Sequence, residues 1–153
     1  MEVLDTYFRR YDQAGKGQEQ MDELLALFSD DVMIVLNGAE KPGIQAFTQF
    51  LNTFFHVHED IKHMWDGWEK REDGKYETNW AVCGKLSDGR VYTAEGIDIA
   101  ELDDKGKIVY LENVPKNPEL FQRYKKAGSS AGFFICLKNK PRWLLSPMFL
   151  YQK

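Results

Sequence analysis

Apolar side chains recur at Val3, Leu4, Tyr7, Phe8 and Tyr11. This is the i, i+3, i+4, i+7 spacing of an amphipathic helix, and it predicts a first helix over residues 2–14, ended by the "AGKG" breaker. Met21, Leu24, Leu25 and Phe28 predict a second helix over about 19–29, stopped by "SDD". The short apolar run "VMIVLN" (32–37) reads as a strand, and "GAEKPG" then turns the chain into a third helix over about 43–56. There Ile44, Phe47, Phe50, Leu51, Phe54 and Phe55 form a wide apolar face that must be covered.

From residue 61 the period changes to 2, and turn signals arrive at "REDGK" (71–75), "SDGR" (87–90) and "DDKGK" (103–107). They separate four strands over about 61–70, 76–86, 90–102 and 107–114, and such short connections pair neighbours antiparallel. After Pro115, "NPELFQRYKK" carries an Asn cap and a Pro at the first position of a short helix. Three apolar helical faces and one sheet imply an α+β layer, with the helices on one side of a curved antiparallel sheet. The remaining "AGSSAGFFICLKNKPRWLLSPMFLYQK" has no acid and two apolar runs, which suits two extra strands or an arm packed on a partner. The expected organisation is one domain over 1–121 and an extension over 122–153.

Composition narrows the class. A chain of 153 residues, 43% hydrophobic and 14% aromatic, buries roughly 70% of its unfolded surface, so no metal or disulfide staple is required. The start has acids and arginines where a signal peptide is apolar, and no run nears a membrane span. A cytoplasmic location without membrane contact is expected, with Cys83 and Cys136 as reduced thiols. Charge is uneven: residues 1–119 carry 13 basic and 24 acidic side chains, a net −11, whereas residues 120–153 carry 7 basic and no acidic ones. The tail is expected to lie on its own acidic body or on a second subunit, and nucleic acid would be repelled by the body.

Chemistry is carried by few residues. Asp98 sits between Ile97 and Ile99 in the middle of a predicted strand. A carboxylate there is either solvated or put to use, because burying it unpartnered costs several kcal/mol. All three histidines lie in "HVHEDIKH" (56–63) with Glu59 and Asp60. That is a metal-ligand set on a regular strand, but a helix end followed by a loop breaks the spacing; a rim histidine such as His63 acting as base, or plain solvated histidines, are the other readings. Trp65 and Trp68 have opposite parity, so one faces the helices and the other faces out; with Trp80 they are aromatic walls for a flat apolar ligand, or ordinary core and interface aromatics. Asp66, Glu95 and Glu112 are candidates for a second carboxylate. No phosphate loop, nucleophile elbow or Cys–His pair occurs, and no cofactor is expected.

The order of elements, with "LLALFSDDVMIVLNG", the "KPG" turn and "AEGIDIAELDDKGKIVYLENV", resembles the nuclear transport factor 2-like superfamily in its SnoaL-like and ketosteroid-isomerase-like branch, over residues 1 to about 121. The resemblance implies a cone-shaped α+β fold with a pocket between the first helix and the sheet, and a homodimer through the sheet's outer face. It also implies roles. Ketosteroid isomerases use a first-helix tyrosine and a neutral late-strand aspartic acid as donors to an oxyanion, and Tyr7 and Asp98 fall at those places. Leu36 stands where their general base would be, and its neighbour Asn37 cannot accept a proton at neutral pH. In SnoaL-type cyclases the acid/base aspartate is expected on the late strand, so Asp98 could act alone. Alternation places Tyr92, Ala94, Gly96, Asp98 and Ala100 on one face, where small neighbours leave room for a ligand or a helix. The reading is therefore an apolar small-molecule site with Asp98 and Tyr7 as catalytic residues and Trp65, Trp68, Trp80, Leu36, Phe54 and His63 as binding residues. It would serve an isomerase, cyclase or lyase for a cyclic or polyketide-like substrate. The alternative is a catalytically silent ligand-binding or assembly module.

Overall fold

The computed structural model describes residues 2–117. The predicted helix after Pro115, the arm, Cys136 and Trp143 lie outside them. Helix α1 spans Glu2–Ala14 and buries Leu4, Tyr7, Phe8, Tyr11 and Ala14, the stripe its periodicity predicts. Helix α2 is shorter than expected, Gln18–Leu25, because strand β1 (Phe28–Leu36) takes over the end of the predicted helix. The cause is tertiary: Phe28 pairs with Ile108, whose N–H donates to the Leu27 carbonyl at 2.9 Å.

The "GAEKP" stretch is more than a turn. Asn37 (φ 48) and Gly38 (φ 74) both adopt the left-handed region, the signature of a two-residue hairpin of type I′. They fold Ala39–Pro42 back onto β1 as strand β2. Helix α3 follows over Ile44–Val57, burying Phe47, Leu51 and Phe54. Strands β3 (His58–Trp65), β4 (Glu69–Lys70), β5 (Tyr76–Leu86), β6 (Val91–Leu102) and β7 (Ile108–Pro115) complete the described chain. The predicted strand 61–70 is thus broken, at Gly67 (φ 103).

The sheet order is β2-β1-β7-β6-β5-β3, with β4 on β5. The β3, β5, β6, β7 run is the expected antiparallel meander, but β1 joins β7 in parallel, so the curved sheet is mixed rather than antiparallel throughout. The inner face carries Ile34, Leu111, Ala100, Trp80, Val82 and Ala94 against the helices. Two cross-strand aromatics need glycine beneath them: a Cβ on Gly96 would lie 2.5 Å from Trp80, and one on Gly84 would lie 2.3 Å from Tyr92. These glycines let both rings lie flat over the sheet towards the cavity.

Candidate functional site

Between α1, α3 and the sheet lies a cavity of ≈ 70 Å³. That holds several waters before any side chain moves. Phe47, Phe50 and Phe54 of α3 wall one side, and Tyr7 and Tyr11 of α1 wall another. The floor is the inner sheet face, with Leu36, Val82, Trp80, Tyr92, Asp98 and Asn113. The α1 tyrosines are four residues apart and meet edge to face at 5.8 Å, as helical spacing dictates.

One cross-strand row sets the polar end. Thr78, Asp98, Asn113 and Leu36 stand opposite one another on β5, β6, β7 and β1. The Thr78 hydroxyl donates to the Gly67 carbonyl at 2.8 Å. Asp98, at 0% exposure, accepts a 2.7 Å bond from Asn113 Nδ2 on Oδ1. Its Oδ2 has no hydrogen-bond partner, and neither has the buried Trp80 Nε1. The Trp80 N–H lies near enough to the carboxyl to favour its charged form, short of a completed bond. Burial pushes the Asp98 pKa up to about 7, against smaller lowering effects of Asn113 and Trp80. Burial also raises the Tyr7 hydroxyl well above its ordinary range, aided by the nearby Asp98 charge, with Tyr11 and Asp12 adding to it. At neutral pH the cavity therefore holds a carboxyl poised between its two states and a phenol that can only donate or accept a hydrogen bond.

A second polar group enters from the other side. His63 of β3 borders the cavity, and its Nδ1 lies 2.7 Å from Asp12 Oδ1 of α1. The His63 backbone N–H donates to both Asp12 oxygens at 3.2 Å. A carboxylate only accepts, so Nδ1 carries the proton and Nε2 is left as the other nitrogen of the ring. The imidazole is packed by Phe8 at 5.2 Å and Tyr11 at 5.3 Å. Among the described residues no group of three or more His, Cys, Asp or Glu comes together as a metal site. His58 bonds the Phe54 carbonyl at 2.7 Å and stacks on Phe54, and His56 is exposed.

The family model of the SnoaL-like domain matches residues 7–111. The chain belongs to the SnoaL-like family. Its fold is that of an NTF2-like protein of unknown function from Exiguobacterium sp. 255-15, at 49% identity and TM-score 0.71 over 75% of this chain and 98% of that one. A proposed polyketide cyclase from Xanthomonas campestris pv. campestris matches at 19% identity and TM-score 0.62, over 78% of this chain and 91% of its own. The Δ5-3-ketosteroid isomerase of Mycobacterium sp. matches at 16% and 0.61, over 73% and 88%. At these identities the last two share the fold alone. No curated protein matches the chain.

In this SnoaL-like domain the cavity gathers Tyr7, Asp98, Trp80, Leu36, Phe54 and His63. Trp65 and Trp68 stand outside its lining. Both stack on Phe8, at 4.9 and 5.9 Å, and the Trp65 indole donates to Asp5 at 2.7 Å. The parity argument that sent one of them outward fails because the strand breaks at Gly67. Nor is any of the candidate second carboxylates in the cavity: Asp66 and Glu95 are exposed, and Glu112 accepts from the Tyr110 hydroxyl at 2.7 Å. Asp12 and Asn113 were not legible as site residues. Asp12 has no local signal, since it meets a residue 51 positions away. Asn113 follows from the hairpin only when a one-residue irregularity between Glu101 and Leu102 is counted; a regular hairpin would place Glu112 opposite Asp98.

Proposed function

We propose that this SnoaL-like domain binds a flat, apolar cyclic ligand in the cavity and moves a proton on it with Asp98. The observation that carries the reading is the buried Asp98 carboxyl, held on one oxygen by Asn113 and unpartnered on the other. A buried polar atom left without a bond calls for an explanation, and a ligand group or an acidic C–H facing Oδ2 provides one. The carboxylate would take a proton from carbon next to a carbonyl, the electron pair would move to the carbonyl oxygen, and the Tyr7 O–H would hydrogen-bond the resulting enolate. Return of the proton to another carbon isomerises the substrate; attack of the enolate carbon on a second carbonyl closes a ring. A pKa of about 7 suits both directions of transfer at neutral pH. Leu36 at the cavity wall supplies no second base.

Deuterium uptake by 2-tetralone in D₂O tests this without the natural substrate. The wild-type chain is expected to accelerate exchange above the buffer rate, and Asp98→Asn to lower it by about 10²–10⁴-fold. An Asp98→Asn protein as fast as wild type would overturn the assignment. Exchange at the buffer rate with wild type would leave the catalytically silent binding module as the better reading.

Assembly as a homodimer through the outer sheet face is supported by Met64 and Val114, which are 66% and 42% exposed there. Sedimentation equilibrium is expected to give twice the monomer mass. A cytoplasmic setting suits the free, exposed thiol of Cys83, which a reducing compartment keeps unpaired.

A further inference from the structure

Among the described residues, the cavity lining contains a single lysine or arginine, Lys41. It sits on the edge strand β2 opposite Ile34, a fully buried inner-face residue, so the register turns its side chain inward. Its ammonium lies 5.6 Å from the centre of the Phe50 ring, and its side chain is half-buried. The adjacent Glu40 is opposite Val35 and exposed, on the other face. No described carboxylate comes within ion-pair distance of Lys41, although the described body is strongly acidic. An inward cation whose company among the described residues is an aromatic face retains much of its attraction for an anion, since a cation–π contact is weaker than a partly desolvated ion pair.

We infer that Lys41 selects an anionic ligand: a flat apolar ring system in the aromatic chamber, with a carboxylate held at the β2 end by Lys41. This rests on the small-molecule reading above and adds the ligand's charge and orientation. The β2 and β6 backbones are separated by two intervening strands, roughly 14 Å at the usual strand spacing. With side chains reaching inward from both ends, the span between Lys41 and Asp98 suits a fused bicyclic body. The orientation keeps the ligand's charge away from Asp98, whose own ionisation would repel it. A competing account is that an inward lysine merely protects an edge strand from pairing with another chain. That account predicts no effect of its charge on ligand choice.

Titration of the full chain with 2-naphthoate and its neutral isostere 2-naphthamide separates the two. Wild type is expected to bind the naphthoate about five- to tenfold more tightly, the range of about 1–1.4 kcal/mol for a partly desolvated charge pair. Lys41→Gln should abolish that preference while leaving naphthamide affinity within about twofold, and Lys41→Arg should keep it. The inference is overturned if wild type shows no preference, or if Lys41→Gln weakens both probes alike, which would mean that only the lysine stem packs against the ligand. Failure of wild type to bind either probe would overturn the pocket reading itself, and with it this one.

Discussion

Asp98 lines the cavity and Asp12 stands behind its His63 wall, and the two carboxylates are used in opposite ways. Asp12, from α1, accepts from two donors of His63, the ring N–H and the backbone N–H, the latter shared between both carboxylate oxygens. It thereby ties the helix to β3. Asp98 is more deeply buried yet accepts one bond, and its second oxygen is unpartnered. The pair teaches that burial alone does not mark a reactive carboxylate. What distinguishes Asp98 is burial with few protein donors: the fold has taken the carboxyl out of bulk solvent and supplied one bonded side-chain amide, too little to hold the charged form fully. Asp12, saturated, acts as a fastener that also sets the His63 tautomer.

The largest expected difference between them is in how stability depends on pH. Asp98 has a folded pKa near 7 against 3.8 for the free side chain, so between about pH 4 and pH 7 the folded state holds a proton that the unfolded state has lost. Stability therefore falls as pH rises through this window, by an amount on the order of a few kcal/mol. Asp98→Asn should flatten that slope in urea melts recorded from pH 4 to 8; an unchanged slope would mean that Asp98 ionises freely. Next in size is Asp12→Ala. It leaves the His63 backbone N–H and ring N–H without their acceptor and should cost about 1–3 kcal/mol by the same melts. A neutral result would show that water replaces the fastener. The smallest effect sharpens the contrast at the donor side: Asn113→Leu removes the main influence holding the Asp98 pKa down, so its carboxyl midpoint, followed by ¹³C NMR, should rise above that of wild type. A midpoint that moves down would place the Asn113 bond on the neutral form instead.

Much of this arrangement is legible along the chain, and the parts that are not share a cause. The α1 stripe, the meander and the inward side of Asp98 follow from local periodicity, because side chains spaced by 3.6 or 2 residues have no other face to occupy. The "NG" at 37–38 carried a hairpin signal that the reading of 38–43 as a plain turn passed over, and β2 with Lys41 went with it. Trp65 and Trp68 were assigned by parity across a strand that Gly67 interrupts. The basic arm lies outside the described residues.

What the sequence alone determined is most of the helices and strands, the fold class and the presence of a carboxylic acid on the inner face of a long strand. Those depend on patterns a few residues long. Tertiary structure decided that β1 runs parallel to β7, that a one-residue irregularity puts Asn113 rather than Glu112 beside Asp98, and that Asp12 meets His63. Each of these joins residues brought together only by closure of the sheet around α1, and a single-residue shift in strand register exchanges one side chain for its neighbour on the opposite face.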